Sequence, residues 1–190
     1  MEFRERSLEE FKEILKKNII KLLKQKLKYK KNINPTYVFC TVDKEDKIHM
    51  SEIKPNFSSD HNKSVARLAL VETAKSIGRD FFQGKQKLSH FIMFSEAHSV
   101  IINAADYTDE EMKEIRDNIS PSDDPLSKDV LMITLEYKNN QLFCMYDVSD
   151  LEKNGIDESK IDIIHAEYED NKSDDYDGEQ FILNKNNVFD

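Results

Sequence analysis

Glycine and proline are scarce, four of each in 190 residues, which argues against collagen-like, linker-dominated or many-turned small β folds. Cysteine is scarcer still. Cys40 and Cys144 are the whole supply, and each sits inside an apolar alternating run where a free thiol behaves as a small buried hydrophobe. Neither a disulfide framework nor a C-x-x-C metal pair can be built from them. The four glycines, Gly78, Gly84, Gly155 and Gly178, never cluster, so a P-loop and a dinucleotide fingerprint are excluded. No apolar run approaches the length of a membrane span. Arg4, Arg6 and a dense mixture of acids and lysines interrupt any signal-peptide core, so a cytoplasmic location is expected.

Metal-binding spacing is missing as well. His49, His61, His90, His98 and His165 are scattered without H-x-H or H-E-x-x-H patterns, and the P-C-x-x-C element of zinc deaminases is absent. The expectation is therefore no metal and no cofactor. Hydrophobic residues reach only 38% while charged residues make up 34%, which leaves part of the chain in water rather than in a core. The length fits one ordinary domain with appendages.

What the chain does have is charge segregated by position. The net charge is -9, which disfavours non-specific affinity of the whole molecule for nucleic acid or anionic lipid. The first 31 residues nevertheless carry eleven basic side chains against five glutamates. At the other end, Glu167 to Glu179 holds seven acids and a single lysine, Lys172. The spacing of charges predicts three segments: a basic amphipathic helix over 1–33, an α+β domain over 35–166 and an acidic flexible tail over 167–190. Ends of opposite charge attract at close range, so the tail is expected to screen the helix.

Ser7 and Glu10 have the spacing of a capping box and start the first helix. Leu8, Phe11, Ile14, Leu15, Ile19, Leu22 and Leu23 form its apolar face, and Lys12, Lys16, Lys17, Lys21 and Lys24 mostly occupy the other side. Asn34-Pro35 ends it. A β-hairpin follows, from the β-branched and aromatic run Tyr37 to Val42, a polar Asp43 to Asp46 turn, and Ile48 to Met50. A second helix is predicted over 62–82, with Ala66, Leu70, Ala74, Ile77 and Phe81 as its buried stripe and small Ala66, Ala69 and Ala74 allowing close approach to a sheet. Leu88 to Phe94 and the apolar run after His98 read as the central strand pair, joined by a very short turn at Ser95 to His98. A third helix is expected over 108–119, with Thr108 and Glu111 in capping-box spacing, then a Ser120 to Pro125 turn. Val130 to Tyr137 and Gln141 to Val148 make a second hairpin around Lys138-Asn139-Asn140, and Ile161 to Ile164 an edge strand.

Three kinds of function are compatible with these residues. Lys12, Lys16, Lys17, Lys21 and Lys24 offer a binding face for a partner protein or, against the net charge, for nucleic acid. Glu96 and His98 lie two apart, so on one strand they share a face and form the only acid–imidazole pair at a strand end. With Asp123 or Asp124 they would compose a hydrolase-type site, although no catalytic motif rises above chance. The reading preferred is a small accessory or binding protein acting through protein–protein contacts.

The segments Phe91-Ile92-Met93-Phe94-Ser95-Glu96-Ala97-His98 and Pro121-Ser122-Asp123-Asp124-Pro125, the latter leading into a strand at Val130, resemble a recurrent family of small bacterial and phage proteins. Members similarly carry an apolar strand ending in S-E-A followed by an aromatic, then a P-S-x-x-P turn before a hairpin. His98 stands where the family typically has tryptophan. The resemblance covers Pro35 to Val148, implies the topology and a phage or mobile-element origin, and lends no activity. Residue pattern and resemblance together predict an α+β fold: a mainly antiparallel sheet of five or six strands with the 62–82 helix packed on one face, plus the N-terminal amphipathic helix.

Overall fold

The structure, a computed structural model, describes residues 3–54, 60–79, 86–99, 108, 110, 127–168, 183, 184 and 189. The predicted α+β architecture is what it shows. Helix α1 spans Leu8–Tyr29, β1 Thr36–Asp43, β2 Ile48–Ile53, α2 Asp60–Arg79, β3 Gln86–Ser99, β4 Lys128–Tyr137 and β5 Asn140–Asp147. A one-turn helix, Leu151–Asn154, and a 3-10 turn, Glu158–Lys160, lead into the edge strand β6, Ile164–Glu167. The six strands form one sheet in the order β2-β1-β3-β4-β5-β6, and every neighbouring pair is antiparallel.

The helix boundaries follow from local chemistry. Ser7 accepts from the backbone N–H of Glu10 while the Glu10 carboxylate accepts from the Ser7 N–H at 2.9 Å, so two of the orphan donors at the start of α1 are satisfied reciprocally. At the other end Lys30 adopts a left-handed conformation (φ 50°) and donates its N–H to the Lys26 carbonyl, stopping the helix before Asn34-Pro35 forces extended backbone. Both hairpins turn through positive φ as well, at Asp46 (63°) and Asn139 (54°). Asp43 reinforces the first turn by accepting from the N–H groups of Glu45 and Lys47, each at 2.9 Å.

Strand alternation sends apolar side chains to both faces of the sheet, and each face has its own cover. Cys40, Ile92, Leu131, Ile133, Leu135, Leu142 and Cys144 meet Phe11, Leu15, Ile19, Leu22 and Leu23 of α1. Tyr37, Phe39 and Phe91 on the opposite face pack against Leu70, Val71 and Ala74 of α2 together with Leu183 and Phe189. The described members of the expected α2 stripe are buried. Leu70 and Ala74 are buried and Val71 joins them, whereas Ala69 is exposed, so close approach rests on Ala74 and not on Ala69. The side chains of Ala66, Ile77 and Phe81 lie outside the described residues.

The expected turn at Ser95 to His98 does not exist. β3 runs straight through it as a 14-residue strand, pairing Thr36 to Asp43 with its first half and Lys128 to Glu136 with its second. A tight turn needs residues that tolerate positive φ, and none of these four is Gly, Asn or Asp. The polar kernel that imitates a turn in the sequence is accommodated in the strand because its buried member, Glu96, finds hydrogen-bond partners. The run after Ser99 lies outside the described residues, as do nearly all of the expected third helix and the Ser120 to Pro125 turn. Phe91 to Phe94 is nevertheless flanked by strands on both sides and forms the sheet centre.

One irregularity matters to the interior. Cys40 pairs with His90 and Thr41 with Leu88, so Ser89 is a bulge. The extra residue reverses the alternation, sending Leu88 to the α2 face with Phe91 and leaving His90 on the α1 face against Phe11.

The chain end returns to the sheet within the segment expected to be a tail. Asn184 donates its N–H to the buried Glu136 carboxylate at 2.6 Å and its Nδ2 to the Tyr137 carbonyl, while its Oδ1 accepts from the Asn139 N–H. Leu183 and Phe189 are buried. Residues 169–182 lie outside the described residues.

Because Leu15 of α1 is fully buried in the larger core, Leu15→Ala is expected to cost about 2–5 kcal/mol in urea unfolding. Leu68→Ala, on the 65%-exposed outer face of α2, is expected to stay within about 0.5 kcal/mol.

Candidate functional site

Glu96 sits on the α1 face of β3, with its side chain only 11% exposed. One carboxylate oxygen pairs with the Lys26 ammonium near the end of α1, and the other accepts from the Ile33 N–H at 2.7 Å. The Glu96 N–H in turn donates to the Ile33 carbonyl at 2.9 Å. The connection between α1 and β1 is thus stitched to the sheet through both the side chain and the backbone of one residue. A carboxylate with both oxygens engaged in this way positions chain segments.

His98 shares the face of Glu96, as the spacing requires, but its imidazole Nδ1 meets Asp129 on β4 at 2.8 Å. Both of those side chains are more than half exposed, and surface ion pairs of this type contribute little. The two members of the predicted dyad therefore serve separate partners. Asp123 and Asp124 lie outside the described residues. Among the described residues no group of three or more His, Cys, Asp or Glu is placed to hold a metal ion. Burial pushes the Cys40 thiol up to about 12 and the Cys144 thiol up to about 11, so both are inert core groups.

The lysines of α1 divide by structure. Lys12 pairs with Glu9 at 2.9 Å and Lys16 with Glu158 at 3.3 Å, so two of the five expected binding residues have acidic neighbours. Lys17, Lys21 and Lys24 are exposed and line a shallow groove with Ile20, Gln25, Lys28 and Tyr29. Positions 17, 21, 24 and 28 are spaced four, three and four residues apart, so they stack along one side of the helix over about 16 Å. The Lys28 ammonium lies 5.0 Å from the Tyr29 ring centroid, within cation–π range. Tyr29 is 58% exposed.

A second locale was not legible as a site. β3 begins five residues before β4 reaches it, since β4 pairing starts at Phe91 with Glu136. Residues 86–90 consequently have no ladder partner on that side among the described residues. The notch is closed by Phe3 to Arg6, by Phe11, by Tyr137 and Lys138 at the end of β4, and by Phe189, giving a cleft of about 200 Å3 also lined by Lys87, Leu88 and Ser89. Asp46 holds the N-terminal segment in place: its carboxylate takes Arg4 at 2.9 Å and Arg6 at 2.6 Å. The Arg6 side chain is only 7% exposed, and its Nη1 is buried with no acceptor among the described residues. Phe11 stacks on Tyr137 at 4.0 Å between centroids and meets the His90 ring edge-on. Burial, with the nearby Arg6 charge as a smaller cause, pulls His90 down to about 3, so its imidazole is neutral. The only sequence signal for this cleft is a pair of arginines two apart, directly before the capping Ser7.

Comparison of the chain with protein-family models, with curated proteins and with solved structures returns no match.

Glu96→Ala is expected to destabilise the fold by about 2 kcal/mol or more, because Lys26 and the Ile33 N–H both lose their acceptor, while His98→Ala stays within about 0.5 kcal/mol. His90 is protonated near pH 6.5 in the unfolded chain but only near pH 3 in the fold. The unfolded state therefore binds the extra proton between those values, and stability is full above pH 6.5 and falls with acidification by up to about 1.4 kcal/mol per pH unit. Urea midpoints measured from pH 7.5 to 4.5 check this, and His90→Gln should flatten that dependence.

Proposed function

We propose that the protein is a binding module that docks an acidic segment of a partner protein along the outward face of α1. The observation that carries this reading is the stripe of Lys17, Lys21, Lys24 and Lys28 flanked by half-buried Ile20 and exposed Tyr29. A lysine stripe alone attracts any polyanion. Apolar and aromatic side chains between the lysines favour a partner that presents acids interleaved with hydrophobic residues, as amphipathic peptide segments do. The net charge of -9 repels a nucleic-acid backbone, whose charge continues past the stripe, more than a short acidic segment confined to it. Opposite charge speeds encounter, and the apolar contacts lengthen the residence of the complex.

The hydrolase reading is less well supported, because Glu96 is occupied by Lys26 and the Ile33 N–H.

The test is a photo-crosslinking residue at Gln25, used in the native host and followed by affinity measurements on the purified pair. An acidic protein should be captured, and Lys21→Glu with Lys24→Glu should weaken its binding by roughly tenfold or more. Capture of nucleic acid, or an affinity unchanged by the charge reversals, would refute the reading.

A further inference from the structure

We propose that the notch between β3, the β4 end and residues 3–6 is a binding site for a small organic carboxylate with a flat apolar body. It stands apart from the outward face of α1 and does not depend on the function proposed for that face.

The inference starts from an uncompensated charge. Arg6 carries a guanidinium that is 93% buried as a side chain, and a buried charged donor without an acceptor is costly. Asp46 satisfies Nη2. Nη1 has no acceptor among the described residues, yet Arg6 lines a cleft. An acceptor brought in through that cleft reaches Nη1 after a side-chain adjustment of the kind common on binding.

The surroundings define the ligand. Lys87 and Lys138 add two exposed ammonium groups at the rim, so the cleft is cationic in a protein that is acidic as a whole. Glu5 also lines it, and Asp46 already neutralises part of both arginines. That residual field suits one negative charge better than the two of a phosphate. A carboxylate matches the planar donor set of a guanidinium. Phe3, Phe11, Tyr137 and Phe189 supply aromatic walls, which favour a flat apolar body stacked or edge-on. The volume of about 200 Å3 is comparable with the roughly 150 Å3 of an apolar cavity that takes up benzene. That is room for one aromatic ring on a short acid arm, and it falls below the pockets that take larger ligands.

Titration of the full chain with phenylacetate, followed by amide chemical shifts in NMR, tests the site. Saturable binding is expected, with the shifts concentrated at Leu88, Ser89, Lys138 and Phe189. Phenylacetamide, the neutral counterpart, should bind at least about tenfold more weakly, and inorganic phosphate more weakly than phenylacetate. A short peptide ending in Phe distinguishes an acid that arrives free from one carried on a chain terminus. Arg6→Gln should reduce phenylacetate affinity by about tenfold or more. Lys138→Gln, at an exposed turn where folding is not at stake, should reduce it a few-fold. Equal binding of phenylacetamide, tighter binding of phosphate, shifts elsewhere on the protein, or no saturation at millimolar phenylacetate would each overturn the proposal.

Discussion

Both faces of the central strands are apolar, and that one constraint places everything else in the fold. A sheet with one wet face needs a single covering layer, whereas β1, β3 and β4 present Cys40, Ile92 and Ile133 on one side and Tyr37, Phe39 and Phe91 on the other. Two covers are then obligatory. α1 serves the first face with a five-residue buried seam. The second is closed by α2 and by residues of the chain end, Leu183 and Phe189, which brings the two termini of the sequence to the same sheet.

Polar groups drawn inside by this packing are met by partners from distant parts of the chain. Glu96 takes Lys26 and the Ile33 N–H, and Glu136 takes the N–H of Asn184. His90 is kept neutral instead of paired with an acid, which is the other way to bury a titratable group. Among the described residues Ser127 Oγ and Arg6 Nη1 are exceptions, and the Arg6 amino group is left over beside a cleft. The α1 stripe and the β3 notch are two cationic surfaces among the described residues.

Much of the local architecture was legible because it is decided by neighbours in sequence. The capping box at Ser7 and Glu10, the stop before Pro35 and both hairpins follow from the chemistry of four to eight adjacent residues. The continuous course of β3 was not legible, because the strand carries a carboxylate whose acceptability depends on Lys26 and Ile33, 70 and 63 residues away. The same dependence dissolved the Glu96–His98 dyad: spacing put both on one face, but spacing does not say which partner each will find. The binding lysines were legible as a set, while the division between Lys12 and Lys16, which have acidic partners, and Lys17, Lys21 and Lys24, which have none among the described residues, required knowing where Glu9 and Glu158 fall.

From the order of residues alone come the element types, their rough boundaries and the basic outer face of α1, since these depend on periodicity and on backbone preferences that act within a few residues. Only the folded chain decides that Ser89 bulges, that Asn184 reaches back to Glu136, and that Arg6 is buried with a donor unused. Those outcomes are set by strand register and by which surfaces meet, and register is a property of the sheet, shared among strands that the sequence holds far apart.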